Sequence, residues 1–109
     1  MPLDRTADRS QRGAEEGRKV GRRPDLRYIK PPDDLKAFPD ARRVRPKTIL
    51  GDGKLRRRWK DGRTGHLLEW DYMHGTVEVY DARGNHLGEF DPDTGSQRKL
   101  PDTARRIIP

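Results

Sequence analysis

Three short segments, HLLEWDYM (66–73), TVEVYDA (76–82) and HLGEFD (86–91), are rich in aromatic and β-branched residues and are separated by HG and RGN. Runs of this length bounded by glycine-containing turns read as short strands joined in hairpins, so an antiparallel meander is expected. If His74 and Gly75 form a two-residue turn, Met73 pairs with Thr76, Asp71 with Glu78 and Glu69 with Tyr80. Leu68, Trp70, Tyr72, Val77 and Val79 then share one apolar face, and Glu69, Asp71, Glu78 and Tyr80 the polar one. Upstream, PPDD before LKAF (31–38) predicts one short helix capped by Asp33 or Asp34 and stopped by Pro39. The fold class expected is α+β: a small, strongly twisted antiparallel β-sheet with a short N-terminal helix. Ile107 and Ile108 are expected to close the sheet edge.

The 109 residues allow one domain and a tail. Residues 1–24 carry charge and glycine with almost nothing to bury, and read as a disordered linker or tail; residues 25–109 form the domain. Charge is divided unevenly. Residues 1–60 hold 19 Lys and Arg against 9 Asp and Glu, and residues 61–109 hold 6 against 9, so a +10 half precedes a −3 half. The basic half is suited to a polyanion, whether nucleic acid, an anionic membrane surface or an acidic protein. Cysteine is absent, which excludes disulfides and cysteine-based zinc sites. No apolar run approaches the roughly 18–20 residues of a membrane span, and MPLDRTADRS lacks a signal-peptide core.

The carboxylates pose the chemical question. In the two-residue-turn register the Cβ atoms of Asp71 and Glu78 stand roughly 4.5–5.5 Å apart, and like charges so placed destabilise a sheet unless a cation or a function answers for them. One of the two is then expected to hold its proton more tightly than usual. His74 at the turn adds an imidazole, which exchanges protons near neutral pH. Such a set suits general acid–base catalysis, and RNA brings its own nucleophile in the 2′-hydroxyl. Plainer readings stand beside this one: a salt-bridged strand face for Asp71 and Glu78, and a turn residue for His74. Metal donors exist in Glu69, Asp71, His74 and Glu78, without any recognised zinc spacing. In GDGKLRRRWKDGRTG (51–65), Arg56, Arg57, Arg58 and Lys60 surround Trp59. These are candidates for RNA contact, with Trp59 stacking on a base or else serving as a core residue of the first strand.

RRRWKDGRTGHLLEWDYMHGTVEVYDARGNHLGEFDPDTGSQRKLPDTARR resembles the C-terminal cytotoxic ribonuclease domain of the ribosome-inactivating E-group colicins and related bacteriocins. The shared framework is Trp59, EWD at 69–71, HG at 74–75, Glu78, Tyr80, HLG at 86–88, FDP at 90–92, TG at 94–95 and PD at 101–102, within residues 46–106. The resemblance implies a metal-independent endoribonuclease, with no cofactor, that cleaves 16S ribosomal RNA at the decoding centre of the 30S subunit or 70S ribosome. It implies Asp71, His74, Glu78 and Arg105 as catalytic residues, with Arg106 as a neighbouring substitute, and Arg57 on phosphate. Tyr80 shares the parity of Glu78 and joins the expected RNA contacts. An acidic immunity protein, bound to a monomer of the toxin, is the implied partner. Secretion or delivery within a larger effector, followed by action in the target cell's cytoplasm, is the implied setting. Two departures bear on the site: Thr76 stands where the colicin has an acid, and Tyr72 and Met73 replace smaller or polar neighbours, which predicts a differently shaped mouth.

Overall fold

The computed structural model of the protein describes residues 28–109. Six strands, β1 (Ala41–Val44), β2 (Arg58–Asp61), β3 (Leu67–Asp71), β4 (Thr76–Tyr80), β5 (His86–Phe90) and β6 (Gln97–Lys99), form one antiparallel sheet in chain order. The three expected segments are β3, β4 and β5, and Trp59 lies in β2. The edge strands β1 (ARRV) and β6 (QRK) gave no strand pattern because neither buries a face, and polar side chains cover most of both. Where the short helix was expected, the chain makes reverse turns instead, with Phe38 N–H bonded to Leu35 O and Ala41 N–H to Phe38 O. No helix occurs among the described residues; the linker assigned to 1–24 lies outside them.

The β3–β4 hairpin differs from the expected register by two residues. Asp71 pairs with Thr76, Glu69 with Glu78 and Leu67 with Tyr80, around a four-residue loop of Tyr72, Met73, His74 and Gly75. The reason is Asp71 itself. Its Oδ1 accepts N–H bonds from Met73 at 2.9 Å and His74 at 3.1 Å, and its carbonyl accepts the Gly75 N–H at 2.8 Å. A short side chain that caps the loop in this way makes Asp71 the first turn residue as well as the last strand residue. Gly75 supplies the left-handed conformation that closes the loop, at φ 68°. The same device recurs at Asp61 with Gly65 and at Asp91 with Gly95, and in a variant form at Asp81 with Gly84. An Asp-x-x-x-Gly spacing at 61–65, 71–75 and 91–95, with Asp-x-x-Gly at 81–84, was therefore a turn signal available in the sequence.

A shift of two leaves facing unchanged, so the expected partition survives. Leu68, Trp70, Val77 and Val79 join Trp59 and Leu35 in the core, flanked by Phe38, Ala41, Tyr72, Leu87 and Phe90. The indole N–H groups of Trp59 and Trp70 donate to the carbonyls of Asp33 (3.4 Å) and Ile29 (2.8 Å), which ties the irregular segment before β1 to this face. The opposite face is polar yet also buried, with Glu69, Glu78 and Tyr80 each at most 3% exposed. Its cover is the C-terminal tail. Arg106 bridges Asn85, Ile107 N–H reaches Gly84 O, and Arg58 Nη1 donates to Ile108 O at 2.8 Å. Ile107 and Ile108 thus contribute backbone groups to that cover, and the Ile108 side chain stays exposed.

Candidate active site

One row of directly opposed residues crosses the whole sheet: Val44, Arg58, Glu69, Glu78, Glu89 and Lys99. Three adjacent carboxylates would repel one another strongly, and each has its own cation or donor set. Glu69 Oε2 accepts from Arg58 Nε (3.0 Å) and Nη2 (2.8 Å) and from Thr48 Oγ1 (2.6 Å). Glu78 accepts from His86 Nε2 at 2.8 Å and has Arg105 Nη1 at 3.5 Å. Glu89 stands 3.6 Å from His74 Nδ1 and 3.9 Å from Lys99 Nζ.

An open cleft of about 250 Å³ lies over the Glu78–Glu89 end of this row, walled by the tail. Asp71, His74, Glu78 and Arg105 all line it, so the turn and the far end of the chain meet there. Asp71 Oδ2 holds His74 Nδ1 at 2.8 Å. A carboxylate only accepts, so the proton sits on Nδ1 and Nε2 is left for exchange with a ligand. Burial pushes the Asp71 carboxyl up, but the bonds from the His74 ring and from the His74 and Met73 N–H groups outweigh it, and the net direction is down. Asp71 is therefore a fixed anion. Glu78 moves the other way: burial raises it, the neighbouring Glu89 adds to the rise, and His86 and Arg105 only partly oppose it.

His86 is the site residue that sequence reasoning missed. Its Nδ1 accepts the backbone N–H of Asp102 at 2.9 Å, which leaves Nε2 as the protonated nitrogen that donates to Glu78. Period-two alternation would put His86 opposite Glu89, but a bulge in the β4–β5 pairing brings both onto the polar face and sends Leu87 to the core. Gly88 makes the bulge possible, at φ 140° and with no room for a Cβ, which would meet Lys99 O at 2.6 Å. Glu89 was missed for the same reason. One consequence is testable. Replacing His86 with alanine removes a donor that lowers Glu78, so an NMR titration should find the Glu78 carboxyl moved to higher pH; no shift, or a downward one, would deny His86 that influence.

Several expected RNA contacts are relocated. Arg58 and Trp59 are each 1% exposed, one in the Glu69 ion pair and the other in the core, and Tyr80 is fully buried. None of the three can touch RNA in this conformation. Burial pushes the Tyr80 phenol up to about 12, and the Arg105 guanidinium carbon lies 5.8 Å above its ring, so Tyr80 serves as floor beneath Arg105. Arg56 and Arg57 are half-buried and bond the carbonyls of Trp70 and Pro32, while Lys60 is exposed. Arg106 donates to Arg83 O, away from the cleft, so Arg105 is the arginine that reaches Glu78.

The metal set considered from sequence is not assembled, since Glu69 belongs to Arg58. Among the described residues, Asp71, His74 and Glu89 bring three donor atoms within 4.8 Å of one another and could hold a divalent ion. A larger cavity of about 320 Å³ lies on the apolar side, between Phe38, Leu68, Val79, Leu87 and Phe90, with Asp40, Asp61, Arg63 and His66 also in its lining.

Residues 29–108 match the model of the family described as Cytotoxic. The chain belongs to that family. Curated relatives from Escherichia coli include cloacin, 43% identical over 77 residues, Colicin-E6, 42% over 77, and Colicin E3, 44% over 78. Each match takes in 69% of this chain and 14% of the relative, so the Cytotoxic domain corresponds to a small part of those proteins. The match extends the resemblance read from residues 46–106 back to Ile29. The added stretch is the one whose Ile29 backbone docks on Tyr72 and Trp70.

Proposed function

We propose that this Cytotoxic domain is a toxin endoribonuclease that cleaves 16S ribosomal RNA at the decoding centre and so arrests translation. The observation that carries the reading is the shared cleft: an imidazole fixed through Nδ1 by a carboxylate, a second carboxylate held by a histidine, and an arginine brought in by the tail. Glu78 takes the proton from the 2′-hydroxyl as its oxygen bonds to phosphorus. Arg105, with Lys99 across the cleft, offsets charge on the phosphorane. As the P–O5′ bond breaks, protonated His74 gives its Nε2 proton to the departing oxygen, and Asp71 stabilises the imidazolium before that transfer. The products are a 2′,3′-cyclic phosphate and a 5′-hydroxyl, and no step requires a metal. The raised Glu78 suits the role of base, because a proton acceptor works best when its affinity approaches the working pH.

Arg56, Arg57, Lys60 and the exposed basic residues of β1 supply a cationic surface for the RNA backbone. The same surface complements an acidic immunity protein, bound one to one, in the producing cell. Delivery as part of a larger secreted effector, with action in the target cell's cytoplasm, completes the proposal. Incubation with intact ribosomes in excess chelator tests it: one discrete 16S fragment ending in a cyclic phosphate is expected. Intact RNA would favour a binding module, and equal cutting of transfer RNA a less selective nuclease.

A further inference from the structure

Trp59, which the sequence left as either a base-stacking or a core residue, is buried, yet a different aromatic surface stands beside the His74 turn. Tyr28 is 62% exposed and stacks on Tyr72, with centroids 5.2 Å apart and planes inclined by 26°. One face of the Tyr28 ring is therefore covered and much of the rest meets solvent.

The pair is held from several sides. Ile29 N–H donates to Tyr72 O at 2.7 Å, and Trp70 Nε1 donates to Ile29 O at 2.8 Å. The Tyr72 hydroxyl accepts the Arg57 N–H at 3.3 Å, and Arg57 Nη1 donates to Pro32 O at 3.2 Å. The Ile29 side chain packs over Gly75, where a Cβ would come within 3.2 Å of its Cδ1, so this strap rests directly on the loop that carries His74. Met73, 56% exposed, sits on the same loop, and Lys30 is exposed two residues after Tyr28.

We propose that Tyr28, backed by Tyr72, is a stacking platform for an unpaired RNA base beside the loop that carries His74. An exposed ring in a fixed orientation loses little freedom when a base lands on it. Exposed Lys30 provides positive charge for an adjoining phosphate, while the Arg57 guanidinium lies 3.9 Å from Asp33; an aromatic face with a cation next to it is what single-stranded RNA requires. The assignment rests on the ribonuclease reading for RNA as the ligand, whereas base stacking itself can be measured apart from cleavage.

The test uses the full chain carrying His74→Ala, so that cutting is slow against binding, and a short single-stranded oligoribonucleotide containing 2-aminopurine. Tyr28→Ala and Tyr28→Leu should weaken binding by roughly 5- to 150-fold, the range of one lost base stack. Tyr28→Phe and Tyr28→Trp should retain it, along with the fluorescence quenching. Leucine keeps apolar contact with Tyr72, so its comparison with phenylalanine stands even if the alanine variant unfolds. In the cleaving protein, Tyr28→Leu should raise KM for ribosomes and leave kcat within about twofold. Equal RNA affinity for leucine and phenylalanine variants would overturn the platform, as would unchanged RNA affinity with lost binding to an acidic inhibitor protein. If the parent chain fails to cut ribosomes while the leucine variant still loses RNA affinity, the platform stands and the ribonuclease reading falls.

Discussion

Replacing His74 with alanine is expected to slow ribosome cleavage by about 10²- to 10⁴-fold, the range lost with one acid–base group. The fold should survive, because the loop does not depend on the imidazole. Asp71 caps it through backbone N–H groups, Gly75 closes it, and the Ile29 side chain packs against it. His74 is also exposed, so its truncation opens no cavity. The measurement is single-turnover cleavage of intact ribosomes, with a thermal melt of each protein as control. A folded variant that cuts at the parent rate would exclude His74 from proton transfer and leave Asp71 without its proposed role.

Replacing Glu69 with alanine should damage stability. Glu69 and Arg58 are both buried, and two Arg58 nitrogens and the Thr48 hydroxyl converge on one Glu69 oxygen. Removing the carboxylate strands a guanidinium in the interior, a loss of about 3–5 kcal/mol. Denaturant unfolding would read this directly. The companion experiment replaces Arg58 and Glu69 together by methionines, which should recover most of the loss, since an apolar pair of similar volume does not leave a charge behind. A Glu69→Ala variant within about 1 kcal/mol of the parent would mean the ion pair is worth no more than a surface contact. The result also separates the functions of adjacent carboxylates, since Glu69 is assigned to structure and Glu78 to chemistry.

The strands β3, β4 and β5 were legible because alternation and turn residues are local properties. The division of their side chains between two faces survived a wrong register, because the error was an even number of residues. Asp71, His74 and Glu78 could be nominated from their spacing and from the family resemblance. What they touch could not, because the partners arrive from afar: Arg105 lies 27 positions beyond Glu78, and the Asp102 N–H that sets the His86 tautomer lies 16 positions from that ring. Arg58 and Trp59 show the limit most sharply. A run of arginines around a tryptophan has one composition whether it faces solvent or the interior, and only the pairing of β2 with β3 puts Arg58 opposite Glu69. Local sequence thus determined the three central strands and which side chains are candidates for chemistry. Burial, the bulge and the tail decided which charges neutralise one another and which remain available to a substrate, because electrostatic pairing depends on distance through space, which local spacing does not encode.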